Sequence, residues 1–245
     1  WTGGIVPGGG DNVTIGAGCT ITIDVAAAAL SLTVQSGGIL EFESATARTL
    51  AVTNAVTNDT GGTIRSNATG TVTTHQLVVG GDLVNNGTLD LSTNANTAGA
   101  MITFGAGISN VTFGGTGATT NVRAITVAKG ALASTVELNP SNFTVQGANT
   151  DVAGFLTLTS GTFKTSGTFT IANRVFTAAG YTIPAAGGFW LNNPNFTVAG
   201  QNGSPTNSGL LRISSGTYNV GTSAGNSLGG GAGAVVAGGD RVERL

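Results

Sequence analysis

Charge is scarce in this sequence. Nine Lys and Arg and 11 Asp and Glu in 245 residues make 8% charged, against about a quarter in an ordinary domain. The basic residues stand singly until the last few positions, so no stripe exists to neutralise phosphates, which argues against nucleic-acid binding. Proline is thin (5 residues), and the single cysteine, Cys19, permits neither an internal disulfide nor a cysteine-based metal site. No apolar run approaches 18 residues, so no membrane-spanning helix and no membrane insertion is expected. The chain nevertheless has 40% hydrophobic residues and a net charge of −2, unlike a disordered polyelectrolyte. Its 41 glycines keep no three-residue period, which excludes collagen.

What the chain has is short alternation punctuated by turns. In Leu156 to Ile171, LTLTSGTFKTSGTFTI, Leu156 and Leu158 alternate with Thr157 and Thr159, and Ser160-Gly161 and Ser166-Gly167 interrupt the run. This reads as strand, tight turn, strand, tight turn, strand. A version returns as LRISSGTYNVG from Leu211, about 55 residues on, and the tetrapeptide NFTV occurs at Asn142–Val145 and again 53 residues later at Asn195–Val198. A near-constant offset marks a repeat array. The expected fold is all-β: a single-stranded parallel β-helix (β-solenoid), right-handed by general expectation for such folds. At roughly 20–27 residues per coil it would have about ten coils and a length of about 50 Å.

The first 43 residues run as a Trp, then P-x-x-G-D-x-V-x-I from Pro7, T-I-D at Thr22, L-x-V at Leu32 and S-G-G-x-L-x-F at Ser36. This order resembles the G8 domain and the opening segment of large secreted β-helix proteins of Bacteroidota. The resemblance implies an extracellular setting and a β-helical entry cap; it transfers no catalytic residue. Three regions are expected: the G8-like entry over 1–43, coils over 44–227, and a glycine-rich tail or truncation junction over 228–245. Within the first, Ala26–Ala29 reads as a small-residue corner, and Trp1 is placed to cover the open end of the first coil. Within the second, 173–205 carries Pro184, Pro194 and Pro205 and more aromatics than elsewhere, and longer loops are expected there. A chain beginning at Trp1 without a signal peptide is expected to be a processed product or an excised part.

Candidate chemistry is sparse. Glycosidic hydrolysis uses two carboxylates about 5–9.5 Å apart. Glu41 and Glu43 satisfy that spacing on one strand, but Leu40 and Phe42 must point inward, leaving both glutamates in water. Asp82 and Asp90 are placed to neighbour each other across one coil, but nothing in the sequence supplies a partner base or clamp. His75, the one histidine, reads as a strand start or turn, and no nucleophile elbow accompanies it. Cys19 reads as a small buried hydrophobe. No catalytic residue, metal or cofactor is expected. Thr-x-Thr pairs at Thr20/Thr22, Thr71/Thr73, Thr157/Thr159 and Thr168/Thr170 raise ice binding, at irregular intervals. Exposed aromatics raise glycan binding, with Tyr181, Phe189 and Trp190 as the candidate cluster. The expectation is a non-catalytic structural module of an extracellular or bacterial cell-surface protein. Its partners would be the rest of a longer parent chain or further copies stacked end to end, and a glycan-binding or glycan-cleaving β-helix is the alternative.

Overall fold

A computed structural model describes residues 6–146, 154–171, 174–176, 179–230, 233–237 and 242–243; Trp1 lies outside them. The described residues form strands and turns without an α-helix. Each coil lays down strands on three successive faces. The first face begins with Asn12–Ile15, the second with Thr20–Ile23 and the third with Ala27–Ala29. Each pairs in parallel, in register, with its equivalent one coil later: Val13 with Leu32, Ile21 with Leu40, Ala28 with Ala51. Chain order is therefore axial order, as a β-solenoid requires.

Alternation explains why these residues make these strands. Ser31–Val34, Ile39–Phe42, Thr49–Val52 and Thr63–Ser66 each bury their second and fourth residues. The inward residues stack into columns such as Val13–Leu32–Val56–Leu83–Phe113–Leu138. No single coil encloses its two or three apolar side chains; stacking gives them one continuous core. From Phe104 onward the core is aromatic. Phe143 has ring centroids of Phe113, Phe155 and Phe169 at 6.1, 5.9 and 5.4 Å.

The stack closes about eight full turns, with ten successive strands on the first face from Asn12–Ile15 to Ala234–Ala237, close to the ten coils expected. Coil length rises from 19 residues (Val13 to Leu32) to 30 (Leu83 to Phe113). The long coil makes an antiparallel excursion, Ser92–Thr93 against Ala98–Gly99, turned by Asn94, Ala95 and Asn96 at positive φ. At a rung spacing of about 4.8 Å the stack is about 40 Å long.

Other local expectations change too. Ala27–Ala29 is a strand rather than a corner: its Ala29 is buried and it pairs with Leu50–Val52. Leu156–Thr165 is one ten-residue strand, not two separated by a turn. Leu156–Leu158 pairs on the third face with Ile125–Val127, and Thr162–Thr165 on the first face with Thr135–Leu138. Gly161, at φ 90°, turns the corner between them while the strand runs on. The two NFTV copies sit at equivalent places, Phe143 and Phe196 buried. In each copy the Asn side chain donates to a carbonyl of the preceding coil, Ala118 for Asn142 and Thr168 for Asn195.

Where loops were expected between 173 and 205, Gly187–Val198 is a 12-residue strand paired on both sides. Its Pro194 lies within a register shift between Asn192 and Thr197, a place where a missing N–H donor costs no ladder bond. In the glycine-rich ending, Ala234–Ala237 pairs with Leu210–Ile213 and Val242–Glu243 with Tyr218–Asn219. Ladder hydrogen bonds come from the backbone, so a run without alternation still extends the stack.

Candidate functional site

Three carboxylates of the outer faces are held in ion pairs. Glu41 and Arg65 are register partners on the second face, with Arg65 Nε 2.6 Å from Glu41 Oε2, and Asn67 Nδ2 donates to Glu41 Oε1 at 2.9 Å. Glu43 takes Arg48. The two glutamates thus face outward, as alternation requires, but each is engaged by its own arginine. Asp82 accepts the Thr112 N–H at 2.7 Å at the entry to the first face, and Asp90 accepts from Asn121 Nδ2 at 2.8 Å on the second. They stand on different faces and do not meet.

His75 begins a third-face strand and is buried against Phe42, ring centroids 5.1 Å apart. Its Nδ1 accepts the Arg48 N–H at 3.0 Å. Burial pulls its pKa below the ordinary 6.5; the Glu43 backbone and carboxylate pull the other way, and Arg48 adds to the depression. With a depressed folded-state pKa, His75 contributes stability that is complete above about pH 6.5 and is lost as pH falls toward the folded value. Urea midpoints at pH 7 and pH 5 should therefore differ more for the wild type than for His75→Gln. Equal differences would contradict this assignment.

Cys19 is exposed rather than buried. It has the parity of Ile21 and Ile23, but the turn that closes with its N–H on Gly16 O, with Gly18 at φ 75°, rotates it outward.

The three candidate aromatics do not form a surface cluster. Phe189 is fully buried, stacked on Phe163 at 6.3 Å. Tyr181 lies on Phe176 at 3.8 Å, and desolvation of its hydroxyl raises its pKa. Tyr181 and Trp190 are both half-buried, and Trp190 is one residue from the buried Phe189 on the same strand, on its outward side. It occupies an outer column set by register, Glu137–Lys164–Trp190–Arg212. Lys164 Nζ lies over the Trp190 ring 4.7 Å from its centroid, Arg212 Cζ lies over the ring at 4.0 Å, and the indole N–H donates to Ser214 Oγ at 2.9 Å. Lys164 also pairs with Glu137 at 3.0 Å. Two cations on the indole occupy the ring surface a sugar would stack on, and each contributes about 0.5–1 kcal/mol to the ladder instead. Of the Thr-x-Thr pairs, Thr20/Thr22 lies on the second face and Thr157/Thr159 on the third; they make no common flat rank.

Sequence reasoning missed Lys129, a buried cation (5% exposed) whose Nζ reaches back two coils to Gly80 O at 3.3 Å. Desolvation lowers its pKa, with Asp82 opposing. Gly80 O also accepts the Ile108 N–H at 3.2 Å, so deleting the ammonium leaves no orphaned acceptor. Lys129→Met is expected to raise stability by about 1 kcal/mol in chemical denaturation, and a loss would contradict that.

The strand geometry gives the family comparison its meaning. Residues 1–80 match the family model of the G8 domain. The match covers a third of the chain and extends well past the 43 residues whose motif order suggested it. It ends one residue after His75–Val79, the third-face strand of the third coil. The segment that matches is thus three coils of the stack, continuous in register with the fourth through Val56–Asn58 on Leu83–Asn85. No curated protein and no solved structure matches the chain.

Within the matched segment lies a cavity of about 320 Å³ beside the first described coil, lined by Val13, Ile21, Ile23, Val25, Ala27 and Leu40 among others. Among the described residues, no three His, Cys, Asp or Glu side chains gather as a metal set. No described helix is long and apolar enough to cross a membrane.

Proposed function

We propose that this chain is a non-catalytic structural module of a secreted or cell-surface protein, bacterial by composition. It acts as a stalk or adhesin-type spacer and joins other units end to end. The observation that carries the reading is the condition of the outer faces. Glu41, Glu43, Asp82, Asp90 and Glu137 are tied to arginines, lysine, asparagine or backbone rather than converging on a cleft, and the candidate sugar platform Trp190 has cations on its ring. A surface of short Thr, Ser and Asn side chains over a fully stacked core serves to hold a length rather than to position a substrate. The G8 match supports an extracellular setting.

A glycan array with the whole chain, followed by incubation with any bound polysaccharide and analysis of its chain length, tests the reading. No retention and no cleavage are expected. Retention that disappears in Trp190→Ala would favour the glycan-binding alternative and overturn the inert-spacer reading.

A further inference from the structure

Asparagine followed by glycine can remake its own backbone, because the second residue has no Cβ to keep its nitrogen from the asparagine Cγ. The dipeptide occurs twice in the chain, at Asn86-Gly87 and Asn202-Gly203. The stack holds the two very differently.

Asn86 lies at the corner between the first-face strand Leu83–Asn85 and the second-face strand Thr88–Asp90. Its Oδ1 accepts both the N–H and the hydroxyl of Thr116, one coil on, at 3.0 and 3.1 Å. Its own N–H donates to Asn58 O, one coil back, at 2.7 Å. Gly87 is buried against that earlier coil, where a Cβ would come within 2.3 Å of Gly62 O. Neighbouring coils thus hold both the side-chain carbonyl and the backbone around the nitrogen. The side chain cannot turn onto that nitrogen without giving up its Thr116 bonds.

Asn202 is exposed, and its side chain has no hydrogen-bond partner among the described residues. The Gly203 N–H donates to Gln201 O at 2.9 Å, a three-residue turn with Asn202 at its tip. That bond is local. It can open while the anchors on either side stay closed, Gln201 paired with Gly221 and Thr206 with Gly229. Ring closure then needs only rotation of a free side chain onto a nitrogen one residue away.

We propose that Asn202 is a site of self-modification, converting to aspartate and isoaspartate in water, while the stack preserves Asn86. Gly203 N gives up its proton to hydroxide and attacks Asn202 Cγ. The N–Cγ bond forms, the Cγ–Nδ2 bond breaks, and ammonia leaves with a proton taken back from water, giving a five-membered succinimide. Water then opens the ring: attack at Cγ yields aspartate, and attack at the Asn202 backbone carbonyl carbon yields isoaspartate. One water enters, one ammonia departs, and nothing is oxidised or reduced. Either product adds a negative charge to a chain of net charge −2. Isoaspartate also lengthens by one carbon the path between the Gln201 and Thr206 anchors.

The test is peptide mapping by mass spectrometry of the whole folded chain during incubation at pH 8, beside the same chain in concentrated urea. In the folded chain the Asn202 peptide is expected to gain about 1 Da at least tenfold faster than the Asn86 peptide, and its product to separate into two isomers. In urea, where no coil holds either side chain, the two rates should agree within about threefold. Asn202→Gln, an exposed change that disfavours the five-membered ring, should abolish the gain in that peptide and leave the thermal unfolding profile unchanged. Equal rates in the folded chain would overturn the protection of Asn86. A folded chain unchanged at Asn202 after the urea sample has converted would overturn the site. A tenfold difference that persists in urea would assign the selectivity to local sequence and overturn the role of the fold. A gain that survives Asn202→Gln would place the reaction at another asparagine.

Discussion

Phe143→Ala is expected to cost about 3–5 kcal/mol in chemical denaturation. Phe143 is the inward residue of the first NFTV copy, 4% exposed, and meets Phe113, Phe155 and Phe169. Its neighbours are held by ladder bonds on different faces, so they cannot close over the missing ring, and the cavity term stays near its full size. Phe143→Leu, which keeps most of the volume, should cost less than half as much. A loss below about 1 kcal/mol for the alanine variant would mean that the rings do not share one core.

Asn85→Leu should destabilise by about 2–4 kcal/mol despite being nearly isosteric and more apolar. Asn85 is fully buried at the corner after the first face. Its Oδ1 accepts from Asn58 Nδ2 at 2.8 Å, and its Nδ2 donates to Thr119 O at 2.7 Å and Thr120 Oγ1 at 2.8 Å. The side chain therefore ties three successive coils. Leucine would leave Thr119 O and Thr120 Oγ1 without that donor in a dry interior, and such orphaned groups cost more than the added apolar contact returns. The corner has no room to adjust. One coil up, Gly115 at φ 118° lies so close that a Cβ there would be 2.1 Å from Asn85 O. Unchanged stability of Asn85→Leu would show that the Asn column is incidental.

Much of this architecture was legible because the side-chain period of a strand is two. Leu40 and Phe42 inward and Glu41 outward follow from parity alone, as does the opposition of Phe189 and Trp190, which should have ruled out treating both as one surface cluster. The 53-residue offset of NFTV located equivalent positions two coils apart. Parity fails where turns intervene. Cys19 has the phase of Ile21 but sits in a turn that rotates it out, and Gly161 bends a strand without ending it. Composition also misled at Gly187–Val198, where Pro194 signalled a loop but sits in a register shift inside the ladder. Lys129 was invisible because its carbonyl partner lies 49 residues away. The pairing of Glu41 with Arg65 needed the register, 24 residues apart, which no local window contains.

The stack itself is tested most directly by distances between nitroxide labels along the first face. Thr14, Thr33 and Asn139 all point outward on it. Thr14 and Asn139 are separated by five rungs, through Thr33, Thr57, Val84 and Gly114. At about 4.8 Å per rung the Thr14–Asn139 pair should give a narrow distribution near about 24 Å, and Thr33–Asn139 one near about 19 Å. A one-rung difference between two pairs so distant in sequence is the signature of an in-register parallel stack. Equal distances, or broad distributions in both pairs, would contradict it.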